Sequence, residues 1–312
     1  MKSVILSRSL SMIHSFCLTC LFSTTLVLNI GSTEATSILA KSPEPNAKFN
    51  SGPIVILEPA NALTGSYRTF EIKRGEVKRS ISQLKTEVGE EALAVVLKLN
   101  RLDENHLRAG VTLVIPKQVD QLITYSPFPR EVATARDIPK FLLVSRRVQA
   151  FGAYEFGRLV RWGPTSTGKK ETPTPAGLYH TNWKSKATRS TVNTEWLLAW
   201  YFNIDNKKGI SFHQYELPGS PASHGCIRLL ADDAAWIYGW ADEWTLSTDR
   251  RVETNGTPVI VFGDYAYGKE APWKHLVTDS CAARVTGVEL EETLRSYIPV
   301  IRQRGSEAVA MQ

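Results

Sequence analysis

The chain has 312 residues, which is enough for two modest domains that each bury a core. Hydrophobic residues make up 43% of the sequence and charged residues 22%, as in an ordinary folded globular protein rather than a disordered one. The net charge is +6, but no block of lysine or arginine dominates. The composition therefore gives no indication of a nucleic-acid partner, and the mild positive charge suits an anionic polymer or a generic surface equally well.

Residues 1–35 have the pattern of a secretory signal peptide. Lys2 and Arg8 precede an uncharged apolar run from Phe16 to Ile30, and small residues suitable for cleavage follow between Ala35 and Ala40. This pattern predicts export to the periplasm or the cell wall. The alternative is an uncleaved segment that anchors the protein in a membrane, although the apolar run is short for a transmembrane helix.

A small folded unit is predicted between residues 66 and 117, after a proline-rich linker over residues 36–65. An alternating strand near Phe70 is followed by two stripes of apolar residues at helical spacing, and an apolar strand then ends at Pro116. Strand, helix, helix and strand in this order form a βααβ unit. Such a unit is near the lower size limit for independent folding.

The βααβ segment resembles a LysM module. The resemblance rests on three stretches, Phe70–Gly75, Leu99–Leu102 and Leu107–Pro116. It implies binding to the N-acetylglucosamine backbone of peptidoglycan or chitin. The segment departs from the family's Gly-Asp-Thr-Leu turn, because Gly-Glu-Val-Lys stands at residues 75–78. A spacer unit without glycan affinity is the alternative.

The rest of the chain is expected to be mostly β. A second linker is predicted over residues 118–137, and a domain rich in strands over residues 138–264. Within it, residues 230–238 read as a helix after the cysteine motif. Residues 265–312 form a tail in which an amphipathic helix is predicted from Val288 to Arg302. The predicted fold class is therefore α+β, with a small βααβ domain followed by a mostly β domain.

The run from Ser223 to Leu229 (Ser-His-Gly-Cys-Ile-Arg-Leu) carries the clearest chemistry. It places Cys226 directly after Gly225, two residues after His224 and thirteen after His213. A cysteine attacks as thiolate, so it needs a base or cation beside it. The N–H groups of Gly225 and Cys226 are candidate donors to an oxyanion. A helix that begins just after the cysteine would favour the thiolate through its dipole.

Two histidines are candidates for the base. In an extended motif His224 and Cys226 would point to the same face, whereas His213 lies on a separate predicted strand and could meet the sulfur across a sheet. Arg228 could bind a substrate carboxylate, or it could pair with an acidic residue of the following helix. Ser223 is a candidate substrate-binding residue, and its alternative role is to fix the backbone of the motif.

The same seven residues resemble the signature of the L,D-transpeptidases of the YkuD family. The resemblance implies a Cys226 thioester with the tetrapeptide stem of peptidoglycan, and it favours His213 as the base. An amine of another stem would resolve the thioester into a 3-3 cross-link, or a wall-attached lipoprotein would take the stem. No cofactor and no metal are implied. Two departures concern the crevice, because Gln214 replaces the family's usual glycine and only residues 214–222 separate His213 from Ser223.

Four alternatives remain open from the sequence. Water could resolve the same thioester, which would make the protein an L,D-carboxypeptidase or amidase. His213, His224 and Cys226 could instead hold a zinc ion with a fourth ligand from elsewhere. Cys226 could form a disulfide with Cys281, since these two cysteines remain after signal cleavage. Finally, the protein could bind the wall without catalysing a reaction.

Overall fold

The computed structural model describes residues 56–57, 67–117 and 125–310, with side chains up to residue 304. All of these lie within one compact unit that spans Gly52–Gln312. The predicted signal peptide and most of the first linker fall outside the described residues. Within the described ranges, no helix has both the length and the apolar character that a membrane span requires.

The first elements form a strand, helix, helix and strand. After the short β1 (Ile56–Leu57), they are β2 (Tyr67–Glu71), α1 (Val77–Val88), α2 (Glu90–Asn100) and β3 (Thr112–Pro116). β2 and β3 pair antiparallel, and Leu84 and Leu99 of the two helices are fully buried in the core that they share. Gly89 has a φ of 82° between α1 and α2, a conformation that suits glycine and lets one helix end before the next begins.

The remaining strands form one large sheet and a separate hairpin. They are β4 (Glu131–Val132), β5 (Lys140–Ser145), β6 (Ala150–Glu155), β7 (Arg158–Ser166), β8 (Gly177–His180), β9 (Lys184–Arg189), β10 (Leu197–Asp205), β11 (Ile210–Gln214), β12 (Ile227–Leu229), β13 (Thr245–Leu246), β14 (Val252–Thr254) and β15 (Pro258–Phe262). The sheet order is β8-β15-β5-β6-β7-β12-β11-β10-β9, and β1 and β4 join it beside β7. β13 pairs with β14 in the hairpin. In the large sheet β15 runs parallel to β5 and β11 runs parallel to β12, while the other neighbours are antiparallel.

Both faces of the sheet are covered. In β5, Phe141 and Leu143 point into one core, while Leu142 and Val144 point into the other. The helix α3 (Ala231–Trp240) packs in the second core, and the C-terminal helix α4 (Gly287–Ala310) packs in the first. Because each strand residue meets an apolar environment on its own side, the unbroken apolar run of β5 is compatible with a central strand.

The C-terminal tail packs into two cores, that of the βααβ unit and the one between α4 and the sheet. Trp273 and Leu276 are buried with the helices of the βααβ unit, and Leu290 and Leu294 of α4 are buried against the sheet. The sequence predicts the amphipathic helix of the tail from its apolar stripe. It does not predict that the first half of the tail completes, through Trp273 and Leu276, a core formed by residues much earlier in the chain.

Residues 125–137 differ from the linker that the sequence predicts there. Phe128 and Val132 are fully buried, and β4 pairs with β1 and β7. Tyr154 donates a hydrogen bond to the carbonyl of Pro129 at 2.8 Å. Pro127 likewise accepts a hydrogen bond through its carbonyl, from the N–H of Val285 at 2.7 Å, so this segment is part of the folded body.

We expect Leu294→Ala to unfold the protein more easily, because Leu294 is fully buried between α4 and the sheet. Truncating a buried leucine should lower the free energy of unfolding by about 3 kcal/mol. Val288→Ala in the same helix is the matched control, since Val288 is 67% exposed and its truncation should change the free energy by less than about 0.5 kcal/mol. Denaturant unfolding followed by circular dichroism measures both, and equal effects would contradict the packing of α4.

Candidate active site

The parallel pairing of β11 with β12 places the predicted nucleophile and base on one face of the sheet. The register pairs Phe212 with Ile227 and His213 with Arg228. Phe212 and Ile227 are buried in the core that contains α3. Since side chains alternate along a strand, His213 and Arg228 point to the opposite face, and Cys226 follows the same alternation.

An open crevice lies on that face and encloses about 780 Å³, including its mouth. It brings together five residues predicted from the sequence, namely His213, Ser223, His224, Cys226 and Arg228. The β9–β10 hairpin supplies further lining residues, among them Arg189, Trp196 and Tyr201. Nucleophile, both candidate bases and a cation therefore share one solvent-accessible space.

The thiol of Cys226 has two polar neighbours. Its Sγ lies 3.4 Å from Ser211 Oγ and 3.4 Å from the carbonyl oxygen of Gly209. Ser211 is fully buried, and its hydroxyl can donate to the sulfur, which stabilises a thiolate. The sequence reasoning missed Ser211. Its position two residues before His213 on the same strand is the signal that could have found it.

His213 has the properties of a general base. It is 4% exposed, and its Nδ1 lies 3.1 Å from the carbonyl oxygen of Gln214. Since a carbonyl only accepts, Nδ1 must carry the proton, and Nε2 of the neutral ring is left with its lone pair. Burial lowers the pKa of His213 to about 4, the Gln214 carbonyl opposes this, and the charge of Arg228 lowers the pKa further. The ring is therefore neutral and ready to accept a proton near neutral pH.

His224 occupies a different position. Its side chain is exposed at the crevice, and its ring packs against Trp196 with the ring centres 5.5 Å apart. This contact ties His224 to the β9–β10 hairpin. The geometry thus favours His213 as the base and gives His224 a place at the entrance.

Arg228 lies over an aromatic ring and not beside a carboxylate of α3. Its guanidinium carbon is 4.5 Å from the centre of the Tyr215 ring. Asp233, one of the acidic residues considered as its partner, instead pairs with Arg161 at 2.6 Å and with Lys98 at 3.7 Å. Arg228 therefore remains able to present its charge to the crevice.

The strands that carry His213 and Arg228 lie in a segment that matches a family model. Residues 139–261 match the model of the L,D-transpeptidase catalytic domain, YkuD. We refer to this part of the chain as the YkuD-like domain. Comparison with curated proteins gave no match.

Solved structures of L,D-transpeptidases are similar to the chain over parts of its length. An L,D-transpeptidase from Mycobacterium smegmatis is 22% identical, with a TM-score of 0.32, over 40% of this chain and 59% of that one. L,D-transpeptidase 1 from Mycobacterium tuberculosis is 24% identical, with a TM-score of 0.31, over 40% and 62%. An L,D-transpeptidase from Stackebrandtia nassauensis is 18% identical, with a TM-score of 0.36, over 60% and 78%. The chain thus spans about three fifths of the two mycobacterial structures.

Two groups of the cysteine motif make contacts other than those predicted for them. The N–H of Gly225 donates to Ser223 Oγ at 3.1 Å, so it is not a free donor for an oxyanion. The Ser223 hydroxyl also donates to the carbonyl of Cys226 at 2.5 Å, so it holds the backbone of the motif. The N–H of Cys226 remains a candidate donor to an oxyanion.

Gly225 is needed for its backbone conformation. Its φ is 113°, in the region that favours glycine, although an added Cβ would meet no atom within 4 Å. Its carbonyl accepts from Thr174 Oγ1 at 2.8 Å, and the same hydroxyl oxygen accepts from the N–H of Gly168. Thr174, to which the sequence assigned no chemistry, therefore supports the cysteine motif from a neighbouring loop.

The helix after the cysteine stands farther away than the sequence suggested. β12 separates Cys226 from the first residue of α3, Ala231. At about 3.3 Å per extended residue the helix terminus is more than 10 Å along the chain, whereas the dipole acts mainly within the first turn. The dipole of α3 therefore does not act directly on the thiol.

The disulfide and zinc alternatives find no supporting geometry in the described residues. Cys226 and Cys281 are both free thiols, the first half-buried and the second exposed. Within the described residues, no three His, Cys, Asp or Glu side chains lie close enough together to hold a metal ion. The zinc alternative thus lacks its ligand cluster.

Acid should destabilise the folded protein partly through His213. Its pKa is about 4 when folded, against about 6.5 in an unfolded chain, so only the unfolded state gains a proton between these values. Stability should therefore fall as pH drops from 7.5 to 4.5, and His213→Gln should lose about 2 kcal/mol less over that range. Urea unfolding at several pH values measures the difference. His180, whose pKa also falls to about 4, remains in both proteins, and parallel curves would contradict a buried neutral His213.

Proposed function

We propose that the protein is an exported peptidoglycan L,D-transpeptidase that acts through a Cys226 thioester. The observation that supports it is the joint position of Cys226 and the buried, neutral His213 on one crevice-facing side of the YkuD-like domain. A half-buried thiol and an imidazole with a free lone pair are the groups that acyl transfer through cysteine requires.

In the first half-reaction, Cys226 Sγ attacks the carbonyl carbon of the third, diamino-acid residue of a tetrapeptide stem. The thiol proton passes to His213 Nε2, and the negative carbonyl oxygen is stabilised by the Cys226 N–H. The C–N bond to the terminal D-alanine then breaks, and His213 returns the proton to the leaving amine. A thioester and free D-alanine result.

In the second half-reaction, an amine of another stem attacks the thioester carbon. His213 accepts a proton from this amine and gives it to the departing sulfur, so that the thiol is restored and a 3-3 cross-link is formed. An amine of a wall-attached lipoprotein is the other acceptor of the same chemistry. With water in place of the amine, the product is a tripeptide and the enzyme is an L,D-carboxypeptidase.

The charge of the crevice supports an anionic donor. Arg189, Lys208 and Arg228 line it, together with aromatic rings such as Trp196 and Tyr215. The Tyr215 ring lies beneath the Arg228 guanidinium and keeps its fork-shaped donors available for a carboxylate. Stem peptides carry several carboxylates, so this lining suits them better than a neutral peptide.

Export and glycan binding complete the proposal. The signal-peptide pattern of residues 1–35 would bring the enzyme to the periplasm or the cell wall, where the stems are found. The βααβ unit, with its LysM-like sequence, would hold the glycan backbone near the crevice.

The decisive experiment incubates the purified protein with tetrapeptide-bearing muropeptides and separates the products by mass. We expect cross-linked dimers and a thioester adduct on Cys226, and complete loss of both in Cys226→Ala. Cys281→Ala is the matched control, because Cys281 is an exposed thiol outside the crevice, and it should retain full activity. Tripeptides without dimers would favour the carboxypeptidase, and activity that requires a stoichiometric zinc ion would overturn the proposal.

Substitutions of the two histidines should have different effects on kcat in the same assay. His213→Gln is expected to lower kcat by about 10² to 10⁴, because it removes the general base. His224→Gln should reduce kcat by less than about tenfold, because its ring packs on Trp196 at the crevice entrance. A larger loss in His224→Gln than in His213→Gln would reverse the assignment of the base.

A further inference from the structure

The loop between the base and the nucleophile has no regular structure of its own. It runs from Tyr215 to Ala222 and, with residues 223–226 of the cysteine motif, joins two parallel neighbours, β11 and β12. Buried backbone groups need partners, and a segment without a helix or a strand ladder must find them elsewhere. Near the cysteine, the end of β7 supplies them, since Ala222 N–H bonds to Thr167 O at 3.0 Å.

The middle of this loop is held by the βααβ unit. Asp103 Oδ2 accepts from the N–H of Leu217 at 2.7 Å, and the Asp103 N–H donates to the carbonyl of Leu217 at 3.0 Å. Leu102 forms a strand-like bridge with Pro218. Both backbone groups of Leu217, whose side chain is fully buried, are thus satisfied by a single residue of the other unit.

The next loop residue fits the same surface. Gly219 donates its N–H to the carbonyl of Arg101 at 3.0 Å and has a φ of 79°. A Cβ at this position would stand 3.1 Å from Leu102 Cδ2, closer than side chains normally approach. The loop therefore follows the turn after α2 closely over three consecutive residues.

The turn that is hydrogen-bonded to the loop is itself held by further contacts. The other oxygen of Asp103, Oδ1, lies 2.7 Å from His106 Nδ1 and also accepts the His106 N–H. Arg101 is fully buried, and its guanidinium bonds to Val148 O of the sheet domain at 2.9 Å and to Leu99 O at 2.7 Å. Its carbon lies 4.9 Å from the centre of the Trp273 ring. The turn is thus fixed to the core of the βααβ unit through Trp273 and to the sheet through Val148.

The position of Leu217 affects the crevice through Tyr215. Tyr215 precedes Leu217 by two residues in the chain. Its ring contacts His213 edge to face at 5.9 Å and lies 4.5 Å from the Arg228 guanidinium carbon. Any shift of Leu217 would move the start of the loop, and with it the ring on which both groups rest.

We propose that Asp103 is a positioning residue for the active-site crevice, through its two hydrogen bonds to Leu217. The βααβ unit thereby acts as a brace for the base-to-nucleophile loop, whether or not it binds glycan. The consequence for turnover rests on the proposed transpeptidase function, whereas the ordering of the loop does not.

The test compares Asp103→Ala and Asp103→Asn with the neighbouring control Glu104→Ala, all in the full chain. Hydrogen exchange at the Leu217 and Gly219 amides should quicken at least about tenfold in Asp103→Ala, the change expected for loss of one charge-assisted bond. Asp103→Asn keeps one side-chain oxygen that can accept from Leu217, but its amide nitrogen then faces the His106 N–H, so it should quicken exchange less than Asp103→Ala does. Glu104 is exposed and should leave these amides unchanged.

The second readout is the rate at which each of two thiol reagents modifies Cys226. Mass spectrometry of the peptide that contains Cys226 follows the modification. Iodoacetamide is small and neutral, whereas dithiobis-nitrobenzoate is an aromatic dianion that must pass Arg228 and Tyr215. Asp103→Ala should lower the ratio of the second rate to the first by at least about fivefold, because attraction between charges depends on their separation. The same variant should lower kcat/KM for the muropeptide donor, with partial rescue by Asp103→Asn.

These readouts distinguish the proposals. If no donor turns over even in the unmodified protein, while exchange and the reagent ratio respond as expected, the brace stands and the proposed function falls. Unchanged exchange and an unchanged ratio in Asp103→Ala would overturn the brace, as would equal effects in Glu104→Ala. If Asp103→Ala does not fold, Gly219→Ala disturbs the same contact from the loop side. It should raise exchange at Leu217 and lower the ratio, and failure to do so would equally overturn the brace.

Discussion

The parallel pairing of β11 with β12 is the constraint on which the active site depends. Parallel neighbours in one sheet require the chain to return to its starting edge, which usually takes a dozen or more residues and often a helix. Here the return, residues 215–226, contains neither a helix nor a strand. The pairing sets His213 beside Arg228 and brings Cys226 to the same face. Its cost is an irregular loop whose backbone needs partners from outside the sheet.

The partners come from two parts of the chain, and a third part supports one of them. The βααβ unit supplies the turn around Asp103, and Thr167, directly after β7, supplies its carbonyl. Trp273 of the tail packs against Arg101, which is buried in that turn. None of these contacts is local in sequence, and each uses a backbone group or a buried polar group that would be costly if left unpaired. The small unit, the tail and the catalytic sheet therefore share one set of interactions.

The sequence predicts the βααβ unit, the strand-rich segment after it and the helix of the tail because these depend on local patterns. It also predicts that Cys226 and His213 lie near each other, and both line the crevice. The same reasoning could not show that the Gly225 N–H donates to the Ser223 hydroxyl, because this bond depends on the backbone geometry of a turn, which the order of the residues does not reveal. It also missed Ser211, Thr174 and the burial of Phe128, each of which depends on contacts between distant segments.

The burial that keeps His213 neutral depends on the alternation of β11. Phe212 faces the core with α3, so a shift of one residue in register would exchange the two faces and place the imidazole in the apolar core. In the observed register His213 stays beneath the crevice surface, with Nδ1 bound to the Gln214 carbonyl and Nε2 left as the acceptor. Desolvation keeps the ring neutral, which costs stability in acid but leaves the lone pair that proton transfer needs. A surface histidine would avoid that cost and would hold its proton over a wider range of pH. Burial of His213 in this sheet thus lowers stability in acid, and it gives a neutral imidazole with a fixed tautomer and a fixed orientation.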